Sequence, residues 1–201
     1  MSAAHWLVLL SVFMSLTGGI AYIRDTLAGK TKPNRVTWFL WAFAPLVGTG
    51  AALSAGADAW ATARIFMAGF VPLLIFLASF LNPKSYWKLT MFDLLCGVCS
   101  LLAFVVWLGI DTPRLAILLA AVGDGFAALP TLVKAWRHPE TETGLVYITS
   151  CISVLLIIPS IPIWNIENSA FQIYLLLVNG SMIVAVYRHR LMRFLSPMKT
   201  A

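Results

Sequence analysis

The sequence predicts an all-α integral membrane protein, with seven transmembrane helices arranged as two parallel three-helix repeats joined by a linker helix (3+1+3). Three observations carry that expectation. The chain of 201 residues is 60% hydrophobic and only 11% charged, with a mean hydropathy of +0.87, more apolar surface than a soluble domain can bury. Twelve of the 14 Lys and Arg residues fall on one side if seven helices alternate, which is the positive-inside bias. The third is an internal correspondence: Gly19, Ala21, Pro33 and Thr37 align without gaps on Gly125, Ala127, Pro139 and Thr143, 106 positions further on.

Seven segments reach the length a bilayer core demands, about 20 helical residues: 5–24, 34–55, 60–81, 86–109, 114–136, 144–164 and 168–188. Short loops separate them and no soluble domain fits between. The basic residues on the shared side are Arg24, Lys30, Lys32, Arg35, Lys84, Lys88, Lys134, Arg137, Arg188, Arg190, Arg193 and Lys199, with only Arg64 and Arg114 elsewhere. This sets the N-terminus outside and the C-terminus in the cytoplasm, with the plasma (inner) membrane as the expected location. The net charge of +6 invites a nucleic-acid reading, but its placement along one membrane face makes the lipid bilayer the partner instead. The first apolar segment lacks the basic n-region of a signal peptide.

In the first span, Gly18 and Gly19 permit close helix packing. The basic loop that follows ends in Pro33, placed as an early residue of the second helix, where its missing N–H costs little. Trp38 and Trp41 then stand near the basic interface as an aromatic belt, with Trp41 also a candidate cavity residue. Pro45, near the middle of that helix, is expected to kink it. Arg64, in the outer third of the third span, either snorkels to the interface or points into a cavity as a charge partner.

The fourth span has no counterpart in the repeat. Asp93 lies five residues from Lys88 and is expected to hold a structural position near the headgroups. Cys96, Cys99 and Cys151 sit inside spans without the polar knuckles and further ligands of a zinc site, so they read as small packing residues, and no metal or cofactor is expected.

The fifth span holds Gly123-Asp124-Gly125, then the helix-breaking Pro130, then the basic loop from Lys134. Asp124 lies eleven residues from Pro113 and ten from Lys134, near the midplane, where an acid is costly and usually faces a bundle interior or a water-filled cavity. It binds a cationic group, exchanges a proton, or hydrogen-bonds between helices. Pro159 and Pro162 make the outer half of the sixth span irregular. Asn179, near the midplane of the seventh, offers donors and an acceptor suited to a polar solute.

The repeat pairs spans one to three with five to seven. The third helices align at an offset of 111, pairing Ala59 with Ala170, Trp60 with Phe171, Ala68 with Asn179 and Gly69 with Gly180. Three spans per unit give both units the same orientation only if one helix separates them, and span four does so. The units are therefore 1–82, a linker helix at 83–111, 112–190, and a cytoplasmic tail at 191–201. Parallel repeats about an axis along the membrane normal are a transporter architecture, with the substrate site at the repeat interface.

Leu129-Pro130-Thr131-Leu132-Val133-Lys134, followed by His138 and Thr143-Gly144-Leu145, resembles the second loop of the PQ-loop superfamily, which includes SWEET sugar transporters and lysosomal amino-acid carriers. Thr131 stands where that family has glutamine, and Arg24-Asp25 occupies the equivalent place in the first repeat, without the proline. The resemblance implies a seven-helix transporter moving a small polar solute, such as a sugar or amino acid, by alternating access, with or without proton coupling. It implies that Asn179 matches a sugar-contacting position of the seventh helix, though its repeat partner Ala68 cannot hydrogen-bond. It also implies that Asp124 lies in the helix bearing a proton-coupling aspartate. Asp124, Asn179, Arg64 and Trp41 are the expected substrate-binding residues, and Pro45, Pro130, Thr131 and Pro159 the expected hinges. The resemblance leaves a homo-oligomer open.

A non-transporting receptor or sorting scaffold on the same fold is the alternative, its short basic loops binding cytoplasmic partners or anionic lipid. An enzyme is not expected: the chain has no Ser-His-Asp set, no HExxH and no carboxylate pair placed for acid–base work, and His5, His138 and His189 all lie at helix ends.

Overall fold

The structure, a computed structural model, describes residues 3–54, 56, 59–161 and 163–195. The described residues form seven α-helices: α1 (Ala3–Leu27), α2 (Arg35–Ser54), α3 (Ala59–Ala78), α4 (Met91–Leu108), α5 (Pro113–Arg137), α6 (Leu145–Ile157) and α7 (Ile166–Leu195), with 3₁₀ turns at Pro83–Ser85, Pro139–Thr141 and Ile158–Ser160. Five of them carry stretches long and apolar enough to cross a membrane: His5–Leu27, Arg35–Ser54, Met91–Leu108, Pro113–Arg137 and Asn168–Met192. Two more contribute shorter apolar stretches, Ile65–Ala78 and Leu145–Ile157. The protein is thus an all-helical membrane protein on length and composition.

Element boundaries depart from the sequence expectation where proline and capping chemistry act. Helix α6 has 13 residues, about 20 Å at 1.5 Å each, because Pro159 cannot continue the ladder and the chain passes into a 3₁₀ turn. Conversely, α5 runs unbroken through Pro130 to Arg137, so that proline sits inside a helix instead of ending one. Pro45 and Pro72 are likewise interior, in α2 and α3. Pro33 is not part of α2. The helix begins at Arg35 because Asn34 caps it, its Oδ1 accepting from the N–H groups of Val36 (3.1 Å) and Thr37 (3.4 Å).

The cap is held from a second helix. Asn34 Nδ2 donates to Asp93 Oδ1 at 3.1 Å, and Asp93 closes a capping box with Thr90 at the start of α4. Helix α4 therefore begins at Met91, later than expected, and Asp93 is a buried structural acid.

Helices α1 and α2 both pack on α3, while α5 and α6 both pack on α7. The two groups meet where α1 contacts α6 and α2 contacts α5, and α4 lies against α5 and α2. Close approach depends on missing side chains: at the α1–α6 seam a Cβ on Gly18 would lie 2.0 Å from Thr149 Oγ1, and where α1 packs on α3 one on Gly19 would lie 2.4 Å from Val71 Cγ1. The buried cluster of Tyr22, Trp38, Val71, Ile75, Ala128, Val146, Tyr147 and Met182 sits toward the basic end of the bundle. That end is also tied by its loops, through a 2.5 Å contact between the hydroxyls of Thr31 and Thr143 and a 3.0 Å bond from Thr143 to Asp25.

Candidate functional site

A cavity of about 220 Å³ lies among α1, α2, α3, α5, α6 and α7. Asp124 enters it from α5, Trp41 and Pro45 from α2, and Asn179 from α7. These residues are up to 138 positions apart, and the packing of the two helix groups brings them to one chamber. Ala68 and its repeat partner Asn179 line it together. A larger groove of about 790 Å³ runs along α5 and α7, lined by Leu132, Leu177, Gly180 and Val184. Leu177 and Val184 are widely exposed there, as a lateral, lipid-facing surface would be, and no expected site residue borders it.

Asp124 is anchored by one neutral donor, the hydroxyl of Tyr174, which gives to its Oδ2 at 2.7 Å. The ring passes beside Gly125, where a Cβ would meet the hydroxyl at an ordinary contact distance of 3.7 Å. Trp41 stands beside the same carboxylate, and its buried Nε1–H has no hydrogen-bond partner among the described residues. Asn179 is buried and donates through Nδ2 to the carbonyl of Leu175 at 2.8 Å, which leaves its carbonyl oxygen and second N–H uncommitted. Serines line the α1/α6 wall, but they bond to one another or to nearby backbone: Ser15 gives to Ser153 (3.2 Å), Ser153 to the Ser11 carbonyl (3.0 Å), and Ser11 to the Val8 carbonyl (2.8 Å).

The aromatic-belt reading of Trp38 and Trp41 does not hold, because both rings turn into the bundle. Trp38 is 2% exposed, and the two indoles meet edge to face at 5.2 Å. The side chain of Arg64 lies outside the described residues. Among the expected hinges, Pro45 borders the cavity. Pro130 and Thr131 are fully buried in α5 below it, and Pro159 terminates α6 at the opposite end.

On the basic side the cavity floor is made by Trp38 and Tyr147, which belong to a buried polar network that sequence reasoning missed. Lys134 forms an ion pair with Glu142, their side chains 1% and 0% exposed. Glu142 Oε2 also accepts from Tyr22 (2.9 Å) and Tyr147 (2.8 Å), and Trp38 Nε1 donates to the Tyr22 hydroxyl at 3.3 Å. The Lys134 ammonium donates further to the carbonyl of Lys32 and stands 5.3 Å from the centre of the Trp87 ring. Lys134 is therefore not one of the solvated basic charges of that face. Its charge is cancelled inside the fold, and the loop residue Glu142 is its partner.

The arrangement can do two things chemically. It presents one carboxylate, one indole N–H standing beside that carboxylate and one half-committed amide to a small solute. It also closes that chamber on the basic side with a buried polar layer built on the Lys134–Glu142 pair. No family model, curated protein or solved structure matches the chain.

Proposed function

We propose that the protein is a membrane transporter of the PQ-loop type, moving a small polar solute across the bilayer by alternating access. The observation that carries this is the chamber itself: a cavity near mid-depth, bordered by helices of both groups and holding an intramembrane acid. At ~30 Å³ per water, its volume of about 220 Å³ would take about seven waters, which suits a small solute better than a drug-sized one.

The 3+1+3 plan with seven crossings is part of the same proposal. It is supported by the packing, since α1 with α6 and α2 with α5 are contacts that exchange under a two-fold axis relating α1–α3 to α5–α7. Helix α4 is then the linker, and the basic loops are cytoplasmic. The largest fully buried side chains, Tyr22, Tyr147, Ile75 and Met182 among them, gather on the basic side, which supports a conformation closed toward the cytoplasm. Opening there requires the Lys134–Glu142 network to part. Pro45, Pro72 and Pro130 each leave a carbonyl without its intrahelical donor, which makes α2, α3 and α5 the helices to bend.

Uptake by proteoliposomes of the purified protein tests this reading against a panel of sugars, amino acids and organic cations. Entry of one of them faster than into protein-free liposomes is expected. A panel with no protein-dependent entry, from either side of the membrane, overturns transport and favours a scaffold.

A further inference from the structure

Resting on that transport reading, we infer that the chamber binds a small organic ammonium cation, with Asp124 as its counter-ion and the Trp41 indole as its aromatic wall.

The charge inventory comes first. Among the described residues lining the cavity, Asp124 is the only carboxylate, and no Lys, Arg or His lines it. A carboxylate in an apolar bundle needs either a countercharge or a full set of donors. Asp124 has a single donor in hydrogen-bond geometry, the Tyr174 hydroxyl. Among the described residues no charge offsets it, and a cation or a proton would do so.

The walls select the kind of cation. Trp38, Trp41, Tyr147 and Phe171 border the chamber, and the perpendicular setting of the two indoles at 5.2 Å gives walls facing in different directions. Aromatic faces attract ammonium groups through the ring quadrupole, and desolvation strengthens the attraction. A bare alkali ion instead asks for a shell of oxygens, and the serine hydroxyls nearby are bonded to protein groups.

The same inventory disfavours the other solute classes. A sugar needs many donors and acceptors, and apart from Asp124, Asn179, Ser150 and the Trp41 N–H the polar groups of the described wall are largely engaged. A zwitterionic amino acid needs a cation for its carboxylate, and the described lining offers none.

Binding and flux are measured with the full-length protein, in nanodiscs and proteoliposomes respectively, using choline, its neutral isostere 3,3-dimethyl-1-butanol, and the zwitterion glycine betaine. Choline is expected to stabilise the protein against heating and the other two are not. Asp124→Asn, in which Tyr174 keeps an acceptor, is expected to weaken choline binding roughly tenfold or more. Trp41→Leu is expected to weaken it roughly threefold to tenfold. Equal binding of the neutral isostere, stronger binding of betaine, or unchanged choline affinity in Asp124→Asn overturns the inference, and the wild-type comparison decides even if a variant fails to fold. A neutral or zwitterionic solute that is transported while choline neither binds nor moves sinks this inference and leaves transport standing. Choline that binds through Asp124 without crossing sinks the transport reading instead.

Discussion

Lys134, three residues from the end of α5, and Glu142, beyond the 3₁₀ turn, close on each other as an ion pair almost wholly removed from solvent. The pair joins the α5–α6 connection to α1 through Tyr22 and to the first basic loop through the Lys32 carbonyl. It sits directly under the chamber, with Tyr147 shared between them.

Breaking such a pair from one side strands the other charge, which costs roughly 3–5 kcal/mol, whereas removing both charges costs much less. Lys134→Gln and Glu142→Gln are each expected to lower the unfolding temperature in detergent well below that of the double variant. Thermal unfolding of the three proteins checks this. Additive losses, with the double variant worst, would mean that the two groups do not act as a pair.

The link between Asp93 and Asn34 makes a second, independent prediction. Asp93→Ala removes the acidic half of the α4 capping box and leaves Asn34 Nδ2 without its acceptor, an expected loss of about 1–3 kcal/mol. Solute affinity is expected to stay unchanged, because Asp93 does not line the cavity. Comparing unfolding temperature with ligand-induced stabilisation separates the two.

The proposed seven crossings would fix which loops share a side. Single cysteines replacing Lys30 and Lys84 are expected to resist an impermeant thiol reagent added to intact cells, while cysteines replacing Asp111 and Asn165 are labelled. All four positions are solvent-exposed. Labelling of Lys84→Cys, or protection of Asn165→Cys, would mean that α3 or the 13-residue α6 does not cross.

The helices were legible because apolar runs of bilayer length leave few other choices. The chamber was partly legible too. Counting residues from the loops put Asp124 and Asn179 at one depth, and the 111-residue offset paired Asn179 with Ala68, which borders the same cavity. Glu142 was not legible, because a loop of Glu, His and Arg reads as solvated until the turn at Pro139 folds it under Lys134. Lys134 misled for the same reason: a lysine at a helix end looks like a snorkelling charge, and only tertiary packing buries it. Tyr174 escaped notice as one aromatic among many, since its hydroxyl has meaning only opposite Asp124. Pro130 signalled a helix end that did not come, as neighbouring helices can absorb one lost backbone bond.

The central claim is that one chamber is exposed alternately to the two sides of the membrane, and that the Lys134–Glu142 layer keeps it closed on the basic side. Cysteine accessibility at Ser150, a chamber residue on α6, tests it without knowing the solute. Cys96, Cys99 and Cys151 are first replaced by alanine, and Ser150→Cys is probed with an impermeant thiol reagent from each face of sealed vesicles. The account predicts labelling from the outer face alone. It predicts that adding Lys134→Gln together with Glu142→Gln opens the residue to reagent on the basic face. Labelling from the basic face that is equal with and without those changes, or no labelling from either face in both proteins, would contradict it.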